Sequence, residues 1–266
     1  MTLRYGGLAA IAMLVPGVAH AEDRSYCPTR PSLGTTACTI APKHVSVETA
    51  ITDWTLDNQP DRRTDTVLLG DTFVRVGVTD TIEAQFGWTP YGHVRTRDKA
   101  TQAVENAGRV GDATLGFKAN LLHPDGNGAS IAVQPFVSMP VGRTPVGAGD
   151  WGAGVIVPAT LDLSKTVNLV TTSEVDAAVN LSGHGRHIAY SEVVGVGVKL
   201  PHHLTFTLDS QVLRDEDPEE KTTQVLGSAS LAWKARKDLQ FDVGAVAGLN
   251  RAAPDMELYV GISRRF

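Results

Sequence analysis

Ionisable residues recur along this chain at positions that share one side of an extended backbone. Residues i and i+2 of a strand face the same way, so Glu174 and Asp176 stand as neighbours. Such a carboxylate pair can serve acid–base work, or it can be two rungs of a charge ladder on a wetted surface. The ladder is the commoner arrangement. The same spacing puts Glu48, Asp71, Arg75, Glu83, Lys118, Asp162, Lys199, Asp209, Lys234, Asp242 and Arg265 on the polar sides of their segments. Acids outnumber bases in this set. A hydrated space lined by them carries a mild negative field that favours neutral or cationic solutes. If the space is narrow, the same charges pair with one another and fill it.

Other chemistries find less support. A hydrolase needs a serine, a histidine and an orienting polar group at one place. The histidines His93, His123, His184, His187, His202 and His203 fall in predicted loops or turns, and no Gly-x-Ser-x-Gly elbow occurs. The run His184-Gly185-Arg186-His187 offers two imidazoles, but no cysteine or carboxylate stands at ligand spacing, so no metal site and no cofactor is expected. Asp125-Gly126-Asn127-Gly128 lacks the later glutamate of a calcium loop and reads as a hairpin turn. The glycine pairs Gly152/Gly154 and Gly195/Gly197 precede no helix that could cradle phosphate. They suit bends and open lumen space.

The elements that carry these residues are strands. Period-two alternation marks twelve segments, at about 44–54, 65–78, 81–90, 110–122, 129–140, 150–163, 167–180, 187–200, 203–213, 222–234, 238–250 and 257–266. A soluble β-sandwich alternates in the same way, but its strands average about 5–6 residues, whereas a tilted membrane-spanning strand needs about 9–11. Most of the segments have the longer length. Short turns alternate with longer polar connections, the longest being Tyr91 to Arg109. Tight periplasmic turns and longer outer loops give that pattern in an antiparallel up-and-down transmembrane barrel. The reading is therefore an all-β transmembrane barrel over residues 44–266, with the Tyr91–Arg109 connection as an outer gate.

The ends of the chain agree. Arg4, the apolar run Leu8 to Val18 and Ala19-His20-Ala21 read as a secretory signal over residues 1–21. Residues 22–43, rich in Pro, Thr and Ser, read as a periplasmic arm or a plug. Cys27 and Cys38 lie in it; in an oxidising periplasm they could close a small loop, or they could remain two free thiols. The net charge of −5 comes without a basic block, which argues against nucleic acid as a partner. The last strand, with Leu258, Val260, Ile262 and Phe266 on one side, resembles the closing strand of a bacterial outer-membrane barrel. The resemblance implies that Phe266 is the signal read by the barrel-assembly machinery. Arg264 shares the apolar side, but an arginine near the membrane interface costs only about 0–1 kcal/mol. Trp88, Trp151, Tyr190, Trp233 and Phe266 are placed for interfacial girdles, although aromatic residues make up only 6% of the chain.

Several segments in order resemble one outer-membrane transporter family, labelled by the meta-pathway of phenol degradation. They are Gly111-Asp112-Ala113-Thr114-Leu115-Gly116-Phe117-Lys118, Gln134-Pro135-Phe136-Val137-Ser138-Met139-Pro140-Val141-Gly142, Trp151-Gly152-Ala153-Gly154, Glu174-Val175-Asp176, Pro254-Asp255 and the terminal Gly261-Ile262-Ser263-Arg264-Arg265-Phe266. The resemblance runs from about Arg63 to Phe266 and leaves the cysteine arm outside. It implies a Gram-negative outer-membrane barrel in contact with lipid, admitting small aromatic or apolar solutes and carrying no catalytic residues. A structural barrel with a closed lumen and, more remotely, a lipid-directed barrel hydrolase stand as alternatives.

Overall fold

Alternation along the sequence becomes one closed antiparallel sheet in the computed structural model, which describes residues 24–266. The segment 1–21, expected to be a secretory signal, lies outside the described residues. The strands are β1 (Val45–Asn58), β2 (Arg62–Gly77), β3 (Ile82–Trp88), β4 (Tyr91–Asp98), β5 (Val104–Arg109), β6 (Ala113–Leu122), β7 (Ala129–Met139), β8 (Gly152–Asp162), β9 (Val167–Val179), β10 (Arg186–Leu200), β11 (Leu204–Glu216), β12 (Lys221–Arg236), β13 (Leu239–Gly248) and β14 (Met256–Arg265). β1 pairs with both β2 and β14, which closes the sheet on itself, and only β5 keeps an unpaired side. β3 and β4 pair with successive halves of β2, and β5 and β6 pair with β4 and β3 in turn. Each of these couples is one wall strand interrupted once. The fourteen segments therefore make a twelve-stranded barrel.

The interruptions line up across the wall. Ile51 is skipped by both neighbours of β1, and Gly70, with φ +70°, is skipped on β2. Thr89-Pro90 separates β3 from β4, and Val110 to Asp112 separates β5 from β6. Proline has no N–H for the ladder, and a left-handed backbone at Gly70 suits a residue without Cβ. One extra residue reverses which side chains face in. Below the line Glu83 and Gln85 point inward; above it Gly92 and Val94 do. The connection Tyr91–Arg109, expected as a loop gate, is thus a hairpin continuing the wall. Its hydrophobic alternation is hidden by the phase reversal and by its charged tip. The irregular outer connection is residues 140–151. It folds back against the interior face of the extension, where Val146 and Leu68 fill the space beside Gly92. Asp112 anchors it, accepting from Gly142 N at 2.9 Å and Ala148 N at 2.7 Å.

Burial is inverted relative to a soluble protein. The bulkiest fully buried side chains include Arg75, Lys118, Glu48 and Glu83, whereas Leu121, Ile188, Val194, Leu208 and Val243 are exposed on the outside. Trp88, Trp151, Tyr190, Trp233 and Phe266 are exposed as well. Uninterrupted strands run from 10 residues in β13 to 16 in β12, enough to cross hydrocarbon at a tilt. Arg264 turns its guanidinium over the Phe266 ring, 4.7 Å from its centroid, which shelters the charge on the apolar face.

The outward face can be tested by depth. Val194→Arg, in the middle of β10, is expected to cost about 2–4 kcal/mol, and Ile188→Arg, near the outer rim, about 0–1. Denaturant unfolding of the protein refolded in lipid measures both. Equal costs at the two positions would contradict the lipid-facing assignment.

Candidate functional site

The interior of the barrel is organised around one guanidinium. Arg75 on β2 has no exposed side-chain surface, yet all five of its N–H donors are used. Nε and Nη2 donate to Glu83 at 2.7 and 3.0 Å. Nη1 donates to Glu48 Oε1 at 3.1 Å and to the Cys27 carbonyl at 2.9 Å. Nη2 also reaches the Cys38 carbonyl at 2.9 Å. Lys118 Nζ stands 3.7 Å from Glu83 and donates to Thr36 O at 2.7 Å. Two bases and two acids thus sum to zero. Burying them is tolerable because each is paired and hydrogen-bonded.

Half of those bonds go to residues 24–43, which lie inside the barrel without regular structure. A backbone with no helix or strand still needs partners for its polar groups, and here the wall supplies them. Thr29 N and Arg30 N donate to Glu48 Oε2 at 2.7 and 3.1 Å, and Ile40 N donates to Glu83 Oε2 at 2.7 Å. Asn120 Nδ2 donates to Ala37 O at 2.8 Å. On the far wall Arg30 pairs with Asp242 at 2.9 Å, Ser32 donates to Asp209 at 3.1 Å, and Thr35 N donates to Thr172 Oγ1 at 3.0 Å. Tyr259 donates to the Pro31 carbonyl. Cys27 and Cys38 are joined by a disulfide, which closes the segment that Arg75 grips at both ends. A cavity of about 150 Å³ remains between the segment and β9–β13, lined in part by Arg30, Ser32, Thr36, Asn168 and Gly197.

The sequence-derived set divides by height in the barrel. Arg75, Glu83, Lys118, Asp209, Lys234 and Asp242 meet the arm, with Lys234 donating to Tyr26 O at 3.0 Å. Asp71, Glu174 and Asp176 lie in the upper interior, where Asp71 accepts from Thr89 Oγ1 at 2.6 Å. Two expected lining residues sit elsewhere. Asp162 is exposed at the periplasmic rim, where its carboxylate accepts from Gly128 N at 2.8 Å and caps the β7 turn. Lys199 is exposed at the same rim. Both are within two residues of a strand end, so correct parity does not bring them into the interior. His93 and His187, expected in loops, lie in β4 and β10. Gly154 and Gly195 make room for acids: a Cβ at either would strike the carboxylate of Asp176 or Asp209 and push it aside.

The sequence reading missed Asp53 and Glu257, which join the upper acidic group. Asp53 lies beyond the Ile51 bulge, so simple parity turns it outward. Asp53 and Glu257 bring the acidic residues of the upper interior to five with Asp71, Glu174 and Asp176, and Arg30 of the arm is the base that acts on Asp53 and Glu257. Outside the wall, at the outer mouth, Arg186 bridges to Asp150 at 2.9 Å, which ties β10 to the 140–151 connection. That hydrogen bond holds the Asp150 carboxyl below the usual range.

Replacing Arg75 tests the cluster. Arg75→Met removes the charge but keeps much of the bulk, leaving Glu48 and Glu83 underpaired in a dry setting. The expected cost is about 3–5 kcal/mol, read as a lowered denaturant midpoint. Glu83→Gln added to Arg75→Met is expected to recover part of it. A loss below about 1 kcal/mol would show that the cluster is solvated and not structural.

Comparisons with known proteins agree with this architecture. The COG4313 outer-membrane channel from Pseudomonas putida F1 superposes with a TM-score of 0.69 at 10% identity, covering 92% of this chain and 98% of that one. The transport unit of the autotransporter AIDA-I from Escherichia coli gives 0.52 at 5% identity, over 95% and 93% of the two chains. The NanC porin gives 0.51 at 10% identity, over 83% and 98%. At such identities the likeness is one of fold. No functionally curated protein matches. The family profile covers residues 30–266, beginning inside the arm and not at Arg63, so it takes in Cys38 and most of the segment held by Arg75. The chain is an all-β barrel of the bacterial outer membrane, and it belongs to the family described as "Putative MetA-pathway of phenol degradation".

Proposed function

We propose that the barrel is a passive channel admitting small aromatic or apolar molecules, and that residues 24–43 are its plug. One observation carries the reading. The lumen is narrowed by a separate segment held through hydrogen bonds and ion pairs, not by wall side chains packed against one another. Twelve strands enclose more space than the eight whose interior side chains fill unaided. A bound segment can be displaced or can leave a restricted gap beside it. The cavity of about 150 Å³ next to the arm is of the size that accommodates a single benzene ring. Above it, the acidic upper interior disfavours anions and leaves neutral and cationic solutes the easier path. The resemblance of the neighbours to channels and porins supports this use of the fold. The solute class rests on the family description and on the cavity size.

The upper lumen residues Asp53, Asp71, Glu174, Asp176 and Glu257 set the field in this scheme, while Arg75, Glu83, Lys118, Lys234, Asp209 and Asp242 hold the plug. Lipid surrounds the exposed apolar face, and the terminal Phe266 is the signal for the assembly machinery. No catalytic role is proposed for any residue, and esterase and phospholipase assays on refolded protein are expected to be silent. A closed structural barrel is the second reading, favoured by the number of bonds that hold the arm.

Planar-bilayer recording separates the two. The intact protein is expected to give small steps or none. A form lacking residues 24–42 is expected to give steps several-fold larger, and Cys27→Ser/Cys38→Ser intermediate or flickering ones. Uptake of a labelled aromatic compound by cells with and without the gene then tests the solute. No current from any form, with no difference in uptake, would establish the closed barrel and remove the channel.

A further inference from the structure

We propose that His187, Asp215 and Asp217 form a binding site for a divalent transition-metal ion at the outer mouth of the barrel. The three come from two neighbouring hairpins. His187 is the second residue of β10, Asp215 lies near the end of β11, and Asp217 begins the turn into β12. The register pairs Ala189 with Asp215, so the next step up the ladder brings His187 towards Asp217. One ligand atom from each lies within 4.8 Å of the others.

The protonation pattern of the imidazole follows from its neighbours. Asn180 Nδ2 donates to the His184 carbonyl at 2.9 Å, which fixes the amide so that its Oδ1 faces His187. That oxygen is 3.0 Å from Nδ1 and can only accept. Nδ1 therefore carries a proton, and Nε2 is the ring atom that presents a lone pair to an ion. A second-shell acceptor on one ring nitrogen is what a metal-binding histidine commonly has, because it fixes the tautomer and the ring orientation.

Nε2 then faces an unresolved contact. The side chain is 5% exposed, and Asp215 Oδ1 lies 2.8 Å from Nε2, yet the atom has no hydrogen-bond partner. A lone pair and a carboxylate oxygen at that distance repel unless a cation stands between them. With bonds of about 2.1 Å to each, an edge of this length subtends about 84° at a metal, the angle of two adjacent ligands in octahedral coordination. Asp217, whose Oδ2 lies 3.3 Å from Nδ1, stands on the other side of the ring and serves as the third ligand through a water. Its side chain is 2% exposed, and its two oxygens are held by Leu181 N at 2.7 Å and Glu219 N at 2.8 Å. Among the described residues its ion-pair partner is His187, and it forms no ion pair with a lysine or arginine. Two carboxylates and a neutral imidazole carry the charge that one divalent ion cancels. An imidazole with carboxylates suits zinc or manganese. Access is open: Asp215 and Asp217 line a cavity of about 520 Å³ at the outer mouth, where Asp57, Asp61 and Glu220 outnumber Arg62 and Arg251.

The histidine run alone lacked carboxylates at ligand spacing because they arrive from the next hairpin. A bound ion would fasten the β9–β10 connection to the β11–β12 turn at the mouth.

The test is titration of the full-length refolded protein with zinc chloride by calorimetry and with manganese chloride by electron paramagnetic resonance. One ion per barrel is expected. Affinity is expected to fall by about tenfold or more in His187→Gln and in Asp215→Asn, while heat-modifiable migration stays unchanged to show an intact barrel. Asp217→Asn also loses turn contacts, so the first two variants decide. Binding undiminished in both, or no binding by the parent, overturns the site. A metal-independent thermal shift between pH 5 and 8 that disappears in His187→Gln, with no metal bound, also overturns it and makes the triad a proton-dependent clasp.

Discussion

Five hydrogen bonds from one buried guanidinium link the wall of this barrel to the segment inside it. Arg75 satisfies Glu48 and Glu83 on its own sheet and the carbonyls of Cys27 and Cys38 on the arm. Without it, two buried carboxylates would be left without their shared counter-charge. Without the carboxylates, the amides of Thr29, Arg30 and Ile40 would lose their acceptors. The arm therefore needs no secondary structure of its own. Its backbone is completed by side chains of the wall, as a strand is completed by its neighbour.

That arrangement follows from inverting the usual distribution of polarity. In water the apolar faces of twelve strands would meet each other. In lipid they face outward, and the polar faces are forced into an enclosed centre where every charge must find a partner. Small residues at Gly154 and Gly195 give the carboxylates of Asp176 and Asp209 room. The result is graded along the axis: a neutralised, crowded zone around the arm, and an acidic, more open zone above it.

Much of this was legible in the sequence because membrane barrels leave a strong period-two signal. Strands β7 to β14 appear within a few residues of their expected positions, since each is long, uninterrupted and sharply two-faced. What was not legible depends on breaks in that period. The Ile51, Gly70 and Pro90 interruptions reverse facing, which hid the inward Asp53 and made the β4–β5 hairpin look like a loop. Asp162 and Lys199 show the opposite failure: their parity is right but their height is wrong. The meeting of His187 with Asp215 depends on which hairpins are neighbours at the rim, and local spacing carries no trace of that.

The claim at the centre is that residues 24–43 are held inside the barrel by carboxylates of the wall. Amide hydrogen exchange on the protein in lipid nanodiscs tests it without altering a residue. The amides of Thr29, Arg30 and Ile40 should exchange orders of magnitude more slowly than in the free segment, with protection close to that of the strand amides around Glu48 and Glu83. Exchange at the rate of an unstructured peptide would mean that the arm hangs in the periplasm and that the charges of the lumen serve some other arrangement.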